Sequence, residues 1–360
     1  MRLLDFPGRR TALDIGGATL RMHVAGHGIV ASEPTVLARC AASGRTLGIG
    51  EQALAVAERR GGVDLVWPVR CGVPCDTADV EIMVRKLLRT HHRSHYLARP
   101  QMAVTAPSVM TPLQEQTMED VAYRSGARKV TVVPVPLAAA VGAGLAASGR
   151  EVAAVADIGA HTTDVGVLAF GSLVASVTAP VGGDMLDRAI VSWVREQRGL
   201  TISVRTAEDA KITVGALDAR GRRRRQRTLV HGKDLITGLP RGEVLTAQDV
   251  ERAIESPVRA IADAVRRGLA DCPPDMAAEM VGAGLTLTGG TARLPGLHRV
   301  LAADTGLPTR VAPNAEIAAV TGAAELLALP RTSDAKDVAD GGARDWTLLS
   351  LPRQLWPARP

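Results

Sequence analysis

Apolar positions along the chain follow two rhythms that recur in the same order in each half. Near the start, strand-type alternation runs through Thr11–Ile15, Leu20–Val24 and Ile29–Ala38, punctuated by Gly26-x-Gly28 and Pro34. Ala41–Val73 mixes short helical and turn signals. From Asp76 to Arg89 the residues Val80, Met83, Val84, Leu87 and Leu88 recur at a spacing of three to four, which predicts an amphipathic helix. Gln101–Ala106 reads as a strand, Pro112–Arg124 as a helix and Lys129–Val135 as a strand, and a small-residue helix starts near Pro136. Past the midpoint, strands flank Gly159 and Gly171, with helices at Asp184–Arg198 and Thr206–Val214. A long helix spans Thr246–Leu269, with Thr246 as N-cap and Asp249 in a capping-box place. Leu285–Thr288 is a strand and Ala315–Leu329 a closing helix. After Pro330 the composition turns to Ser, Asp, Gly and Lys, so residues 331–360 read as a flexible tail. Strands and helices alternating in two similar halves predict an α/β fold with a cleft between lobes.

One turn occurs twice. Asp14-Ile15-Gly16-Gly17 follows the strand-like Thr11-Ala12-Leu13, and Asp157-Ile158-Gly159-Ala160 follows Val152–Ala156. Each is followed by threonine and a second strand-like run, as an internal duplication would produce. Two such hairpins face to face would surround a polyphosphate with backbone N–H groups. They would also bring two carboxylates near one divalent cation. Nucleotide binding is the leading reading.

Composition narrows this. At 37.7 kDa the chain can hold two lobes, each with an adequate core. Hydrophobic residues make up 46% but aromatics only 2%, so the core is aliphatic and offers little surface for stacking bases. No nucleic-acid partner is expected. The net charge of +6 favours an anionic surface without requiring one. Its densest run is Arg220–Arg227, inside a basic segment at 216–232 that reads as a solvated hairpin, with attraction to anionic lipid or nucleic acid as the alternative. The four cysteines show no paired framework and no secretory signal precedes them, so reduced thiols in the cytoplasm are expected. Cys71-x-x-x-Cys75 lacks the second pair of a zinc site. No apolar run approaches the roughly 20 residues that span a bilayer.

Five segments, in order, carry a family resemblance. They are Leu13–Gly16 with Gly28-Ile29-Val30-x-x-Glu33-Pro34; the connecting stretch Val104–Leu145; Asp157-Ile158-Gly159-x-x-Thr162-Thr163-Asp164; Val181-Gly182-Gly183-Asp184-x-x-Asp187; and Leu287-Thr288-Gly289-Gly290. Together they resemble the actin, sugar-kinase and heat-shock-chaperone ATPase superfamily and, within it, the MreB-type bacterial actins. The resemblance implies an actin-like ATPase fold: two duplicated ribonuclease H-like lobes around a nucleotide cleft. The first lobe would be 1–140, closed by a C-terminal helix at 313–330, and the second 141–312. It implies ATP and Mg²⁺ as cofactors. Gly16, Gly17, Ala18 and Thr19 would form the first phosphate hairpin, and Gly159, Ala160, His161 and Thr162 the second, with Asp14 and Asp157 holding the metal. Glu208-Asp209-Ala210-Lys211 matches a helix that contacts ribose and adenine, and Gly289-Gly290-Thr291-Ala292 would pass close to the adenosine. Gln114 takes the place of a glutamate that acts on the attacking water, with Glu115 beside it and Thr162 the third catalytic candidate. The implied activity is a slow ATPase coupled to polymerisation.

Three departures from the family pattern matter for mechanism, the third covering both the first turn, Gly16-Gly17-Ala18-Thr19 in place of Gly-Thr-Ala-Asn, and Thr291. The second phosphate turn is Gly159-Ala160-His161-Thr162 rather than Gly-Gly-Gly-Thr, which would cost strain if those residues need positive φ. His161 would make nucleotide affinity or turnover pH-dependent. Gln114 can orient a water but cannot take its proton, and Thr291 stands where a third glycine is usual. A weakly hydrolysing scaffold paralogue is therefore an alternative, and a small-molecule kinase a remoter one. The resemblance further implies a homopolymer at the inner face of the cytoplasmic membrane, touching it through Tyr96 and Leu97, and working with the cell-wall elongation machinery.

Overall fold

A computed structural model describes residues 9–91, 99–145, 152–217 and 225–329. The tail, the arginine run at 220–224 and the expected membrane contacts Tyr96 and Leu97 lie outside these residues. The first part of the chain forms β1 (Thr11–Ile15), β2 (Thr19–Val24), β3 (Gly28–Pro34), β4 (Leu37–Cys40), β5 (Thr46–Ile49), α1 (Glu51–Arg59), β6 (Val63–Val66), β7 (Val69–Arg70) and β8 (Val73–Pro74). It continues through α2 (Thr77–His91), β9 (Gln101–Ala106), α3 (Pro112–Ser125), β10 (Lys129–Pro134) and α4 (Val135–Gly142). The second part opens with β11 (Val152–Ile158), β12 (Thr163–Ala169), β13 (Ser172–Ala179), α5 (Gly183–Arg198), β14 (Leu200–Thr201) and α6 (Val204–Val214). It closes with β15 (Arg227–Asp234), β16 (Pro240–Thr246), α7 (Ala247–Ala270), α8 (Pro274–Ala283), β17 (Leu285–Thr288), α9 (Leu297–Thr305), β18 (Thr309–Val311) and α10 (Ala318–Ala328).

The duplication is visible in the sheets. One runs β10-β9-β1-β2-β3 and the other β18-β17-β11-β12-β13. In each, the strand bearing the aspartate pairs antiparallel with the next strand and parallel with a distant one: β1 with β2 and β9, β11 with β12 and β17. Each sheet has its own aliphatic core, around Leu13, Leu20, Met22, Met83 and Met118 in the first lobe and Leu186, Ile190, Ile254 and Ile261 in the second. A third cluster, rich in alanine, joins them through α4 and α10. These helices cross backbone to backbone: a Cβ on Gly142 would fall 2.0 Å from the Ala318 carbonyl oxygen, and one on Gly322 1.8 Å from that of Ala138. Small residues permit that approach.

Several elements depart from the periodicity. The expected strand Ile29–Ala38 breaks after Pro34, because Thr35 turns back to bind the first hairpin, its N–H donating to Ala18 O (2.9 Å) and its hydroxyl to Gly16 O (2.7 Å). Residues 41–73 resolve into a small sheet, β5-β4-β6, with α1 packed on it. Helices α8 and α9 and strand β18 carry no clear period and were not expected. After α6, β15 pairs with β16 in a hairpin that turns at 235–239, and residues 218–224 of the basic segment expected as a hairpin at 216–232 lie outside the described residues.

Candidate functional site

The two Asp-Gly turns close in the same way. Gly16 N–H donates to Thr19 O (3.1 Å), and Gly159 N–H donates to Thr162 O (2.8 Å). They face each other across the cleft floor, where a Cβ on Gly17 would fall 2.0 Å from His161 Nδ1. Neither Ala160 nor His161 has positive φ, so the strain anticipated for the second turn is not present. Gly17 is required by the space the imidazole takes, not by its backbone angles. His161 Nδ1 is buried without a hydrogen-bond partner, and burial lowers the His161 pKa, with Asp184 pulling it up and Arg188 and Arg70 pushing it further down.

Strand register brings a threonine to each aspartate. Asp14 lies opposite Thr105 and Asp157 opposite Thr288, and both threonine hydroxyls donate to the carboxylate at 2.8 Å. Arg21 reaches Asp14 at 3.5 Å. Burial pushes Asp157 up to about 7, the Thr288 hydroxyl opposing and the Asp14 charge reinforcing it. A carboxylate held near neutral pH beside a second carboxylate is stabilised by a divalent cation between them. With two protein carboxylates and the remaining positions left to water and phosphate, this donor set suits Mg²⁺. No cluster of three or more metal-binding side chains occurs among the described residues.

The sequence reading gave no role to Asp164, Thr105, Thr288 or Gly183. Asp164 is buried opposite Asp157 in the β11–β12 register. It accepts from the Thr178 hydroxyl (2.5 Å) and from Ser108 N–H (3.3 Å), and burial raises its pKa. It thereby ties the second lobe to the loop that leads into α3. On α3, Gln114 completes a capping box: its Oε1 accepts from Thr111 N–H (2.9 Å) and its own N–H donates to Thr111 Oγ1 (3.3 Å). Glu115 follows it on the first turn.

On the other wall, Lys211 Nζ lies 2.8 Å from the Asp187 carboxylate and 3.4 Å from Gly183 O. Burial pushes Asp187 up to about 6, the Lys211 ammonium opposing it. Gly183 N–H donates to Gly159 O (3.0 Å), and a Cβ there would fall 2.6 Å from Thr291 Oγ1. Thr291, in place of a glycine, donates its hydroxyl to Gly159 O (2.8 Å) and pins the turn at 291–293 to the second hairpin. Gly289 has φ +84° and packs on Ile158, where a Cβ would fall 2.4 Å from the carbonyl oxygen. Glu208 and Asp209 are exposed on α6, whereas Ala210 and Ala292 are buried in the second core and present only backbone to a ligand. Beyond α6 a cavity of about 550 Å³ opens between Ala216, Leu217, Ala292, Leu294 and Pro313.

The architecture has solved counterparts. It is similar to the crystal structures of MreB5 of Spiroplasma citri bound to AMPPNP (TM-score 0.82, 24% identity, 88% of this chain and 94% of that one) and to ADP (TM-score 0.81, 25% identity, the same coverage). It also matches the MamK double helical filament at TM-score 0.74 and 17% identity, over 89% of this chain and all of that one. In sequence the chain is 32% identical to the cell shape-determining protein Mbl of Bacillus subtilis (strain 168), over 85% of this chain and 92% of that protein. It is 33% identical to the cell shape-determining protein MreB of Escherichia coli (strain K12), over 84% and 88%. The family model described as MreB/Mbl protein matches residues 8–334. With that span covered and the duplicated actin-like lobes in place, the chain belongs to the MreB/Mbl family of actin-like proteins.

Proposed function

We propose that this protein is an ATP-binding cytoskeletal protomer whose filaments lie on the inner face of the cytoplasmic membrane and guide cell-wall synthesis. The observation that carries the reading is the pairing of two identically closed turns, Gly16–Thr19 and Gly159–Thr162, with Asp14 and Asp157 held by matching threonines. Turn N–H groups would donate to phosphate oxygens from both lobes, so the triphosphate draws the lobes together. Asp14 and Asp157 would hold Mg²⁺ through its waters, and the ion supplies neutralisation of phosphate charge. Lys211, fixed by Asp187, and the Gly289–Ala292 turn line the side on which the nucleoside would sit. Relatives named cell shape-determining, neighbours bound to AMPPNP and ADP, and a filament-forming neighbour support the reading. Among the described residues no helix is long and apolar enough to cross a membrane, so membrane attachment would be peripheral or lie in other segments. Sedimentation with and without ATP and Mg²⁺, alone and on anionic vesicles, tests it. Concentration-dependent pelleting with nucleotide is expected. Failure of the purified protein to retain adenine or guanine nucleotide with magnesium would overturn it.

One observation favours a second reading, a scaffold that binds nucleotide and hydrolyses it poorly. Gln114 Oε1 is engaged by Thr111 N–H, and glutamine has no basic oxygen to accept a proton from water. Phosphate release in a single turnover separates the two readings.

A further inference from the structure

One ion pair joins helices that belong to different lobes. Arg205 Nη1 on α6 lies 2.7 Å from Glu58 Oε1 on α1, across 147 positions of chain. The side chains are 65% and 63% exposed, so the pair spans a solvent-filled gap rather than a packed interface.

Each end is anchored to the phosphate hairpin of its own lobe. α1 packs on the small sheet of the first lobe, where a Cβ on Gly48 of β5 would fall 3.1 Å from Ala53 N. At its start Glu51 N–H donates to Glu33 Oε2 (3.0 Å), and Gly50 N–H donates to Val36 O (2.9 Å). Between Glu33 and Val36 lies Thr35, which binds Gly16 and Ala18 of the first hairpin. In the second lobe α6 buries Ala207, Ala210 and Val214 in the core, and its N-cap Ser203 Oγ accepts from Thr206 N–H (3.1 Å). Lys211 reaches Gly183 O, and Gly183 N–H holds Gly159 O of the second hairpin.

Distances along the two helices put the pair away from the cleft floor. Arg205 stands about 9 Å along α6 from Lys211, and Glu58 about 10 Å along α1 from Glu51. The contacts described above between the lobes lie on the floor instead: Gly17 against His161, and Ser108 N–H to Asp164. Arg205 precedes Glu208 by three residues, so the two share one side of α6. The hairpins, the small sheet, α1, the ion pair and α6 therefore form a ring around the place where the nucleotide would sit. Within each lobe the ring is held by chain connectivity, packing and hydrogen bonds. Between the lobes, on this side, it is held by an exposed ion pair, which opens at little cost.

We propose that Glu58 and Arg205 form a latch over the cleft mouth that must open for nucleotide to enter or leave. The pair is weak enough to slow exchange without blocking it, and added salt loosens it. This rests on the nucleotide-binding reading above and adds the step that governs exchange.

The test follows a fluorescent ATP analogue with Mg²⁺ by stopped flow, first binding and then chased by unlabelled ATP. It compares the wild type, Arg205→Glu, Glu58→Lys and the double variant in which the charges are swapped. Both side chains are exposed and neither touches a hairpin, so all four proteins are expected to fold alike. Each single reversal is expected to speed entry and release together by about two- to fivefold, the range that an exposed pair delivers, and to leave Kd nearly unchanged. The swapped variant is expected to return both rates to near the wild-type values. High salt should speed exchange in the wild type and narrow its difference from the single reversals. Equal rates in all four proteins, or single effects that simply multiply in the swapped variant, would overturn the latch while leaving nucleotide binding standing. Faster release with unchanged entry would overturn it in favour of a direct contact with the nucleotide. If the wild type retains no analogue, the nucleotide-binding reading fails and the latch fails with it.

Discussion

Gly17 and His161 meet across the cleft floor so closely that a methyl group on Gly17 would overlap the imidazole, its Cβ falling 2.0 Å from Nδ1. This is the point where the two duplicated turns touch. Gly17→Ala is expected to force the ring aside and to destabilise the nucleotide-free protein by about 1–3 kcal/mol, the usual range for overpacking. His161→Gly should remove the obstruction, so the double variant should recover most of the loss. A double-mutant cycle from denaturant melts measures the coupling, and additive effects would mean that the residues do not oppose each other in solution.

Burial keeps His161 neutral at neutral pH, since its folded pKa lies below the ordinary 6.5. A triphosphate brought against it would favour the protonated ring, offsetting the unfavourable charge of Arg188 and Arg70. Nucleotide affinity should therefore tighten several-fold from pH 8 to pH 6. Titrations with His161→Gly, in which the nucleotide's own protonation is unchanged, should show a flatter dependence. Parallel curves for the two proteins would assign the effect elsewhere.

The Asp157 carboxyl supplies a second pH dependence. Its folded value of about 7 lies above the ordinary 3.8, so the folded state holds the proton more tightly than the unfolded chain. That contribution is fully present below about pH 4 and is lost as pH rises towards 7. Asp157→Asn should flatten the decline in melting temperature of the nucleotide-free protein between those limits, while abolishing the stabilisation by Mg²⁺-nucleotide. An unchanged melting profile would mean that the carboxylate is solvated.

Much of this site was legible because duplication doubles each signal. Asp14-Ile15-Gly16 and Asp157-Ile158-Gly159 identify one another, and the Thr246–Asp249 capping box marks the start of α7 within a residue. Thr105 and Thr288 were equally repeated, one next to the end and one at the end of a parallel strand beside its aspartate, and pairing those strands in sequence would have found them. Asp164 was quoted within a motif, yet its role depends on Thr178 and Ser108, which only tertiary contact brings near. Helices α8 and α9 escaped because they are short and lie among prolines and glycines, where periodicity has little length to accumulate. The positive φ of Phe170 contradicts local propensity, and no pattern in the sequence announces it.

The crossing of α4 and α10 sets another expectation. A Cβ at Gly142 or Gly322 would meet a backbone carbonyl at 2.0 or 1.8 Å, and backbone cannot swing aside as a side chain can. Gly322→Ala should therefore cost at least as much as ordinary overpacking, about 1–3 kcal/mol or more, although alanine is the better helix former on propensity alone. Thermal melts distinguish the two forces: a raised melting temperature would show that the helices can separate at little cost.

The last expectation concerns hydrolysis. Gln114 occupies the third helical position of α3 and completes a capping box with Thr111. Glutamate satisfies the same box, its carboxylate accepting from Thr111 N–H as the amide oxygen does now. Gln114→Glu should therefore leave the fold and nucleotide affinity nearly unchanged and isolate the chemical difference between the two side chains. If an oxygen able to take a proton is what turnover lacks, ATP hydrolysis in the assembled state should rise at least roughly tenfold, within the range that a positioned base provides. A rate equal to the wild type would mean that the capping bond holds the side chain away from the water, and that turnover is set by positioning and charge at the two hairpins alone.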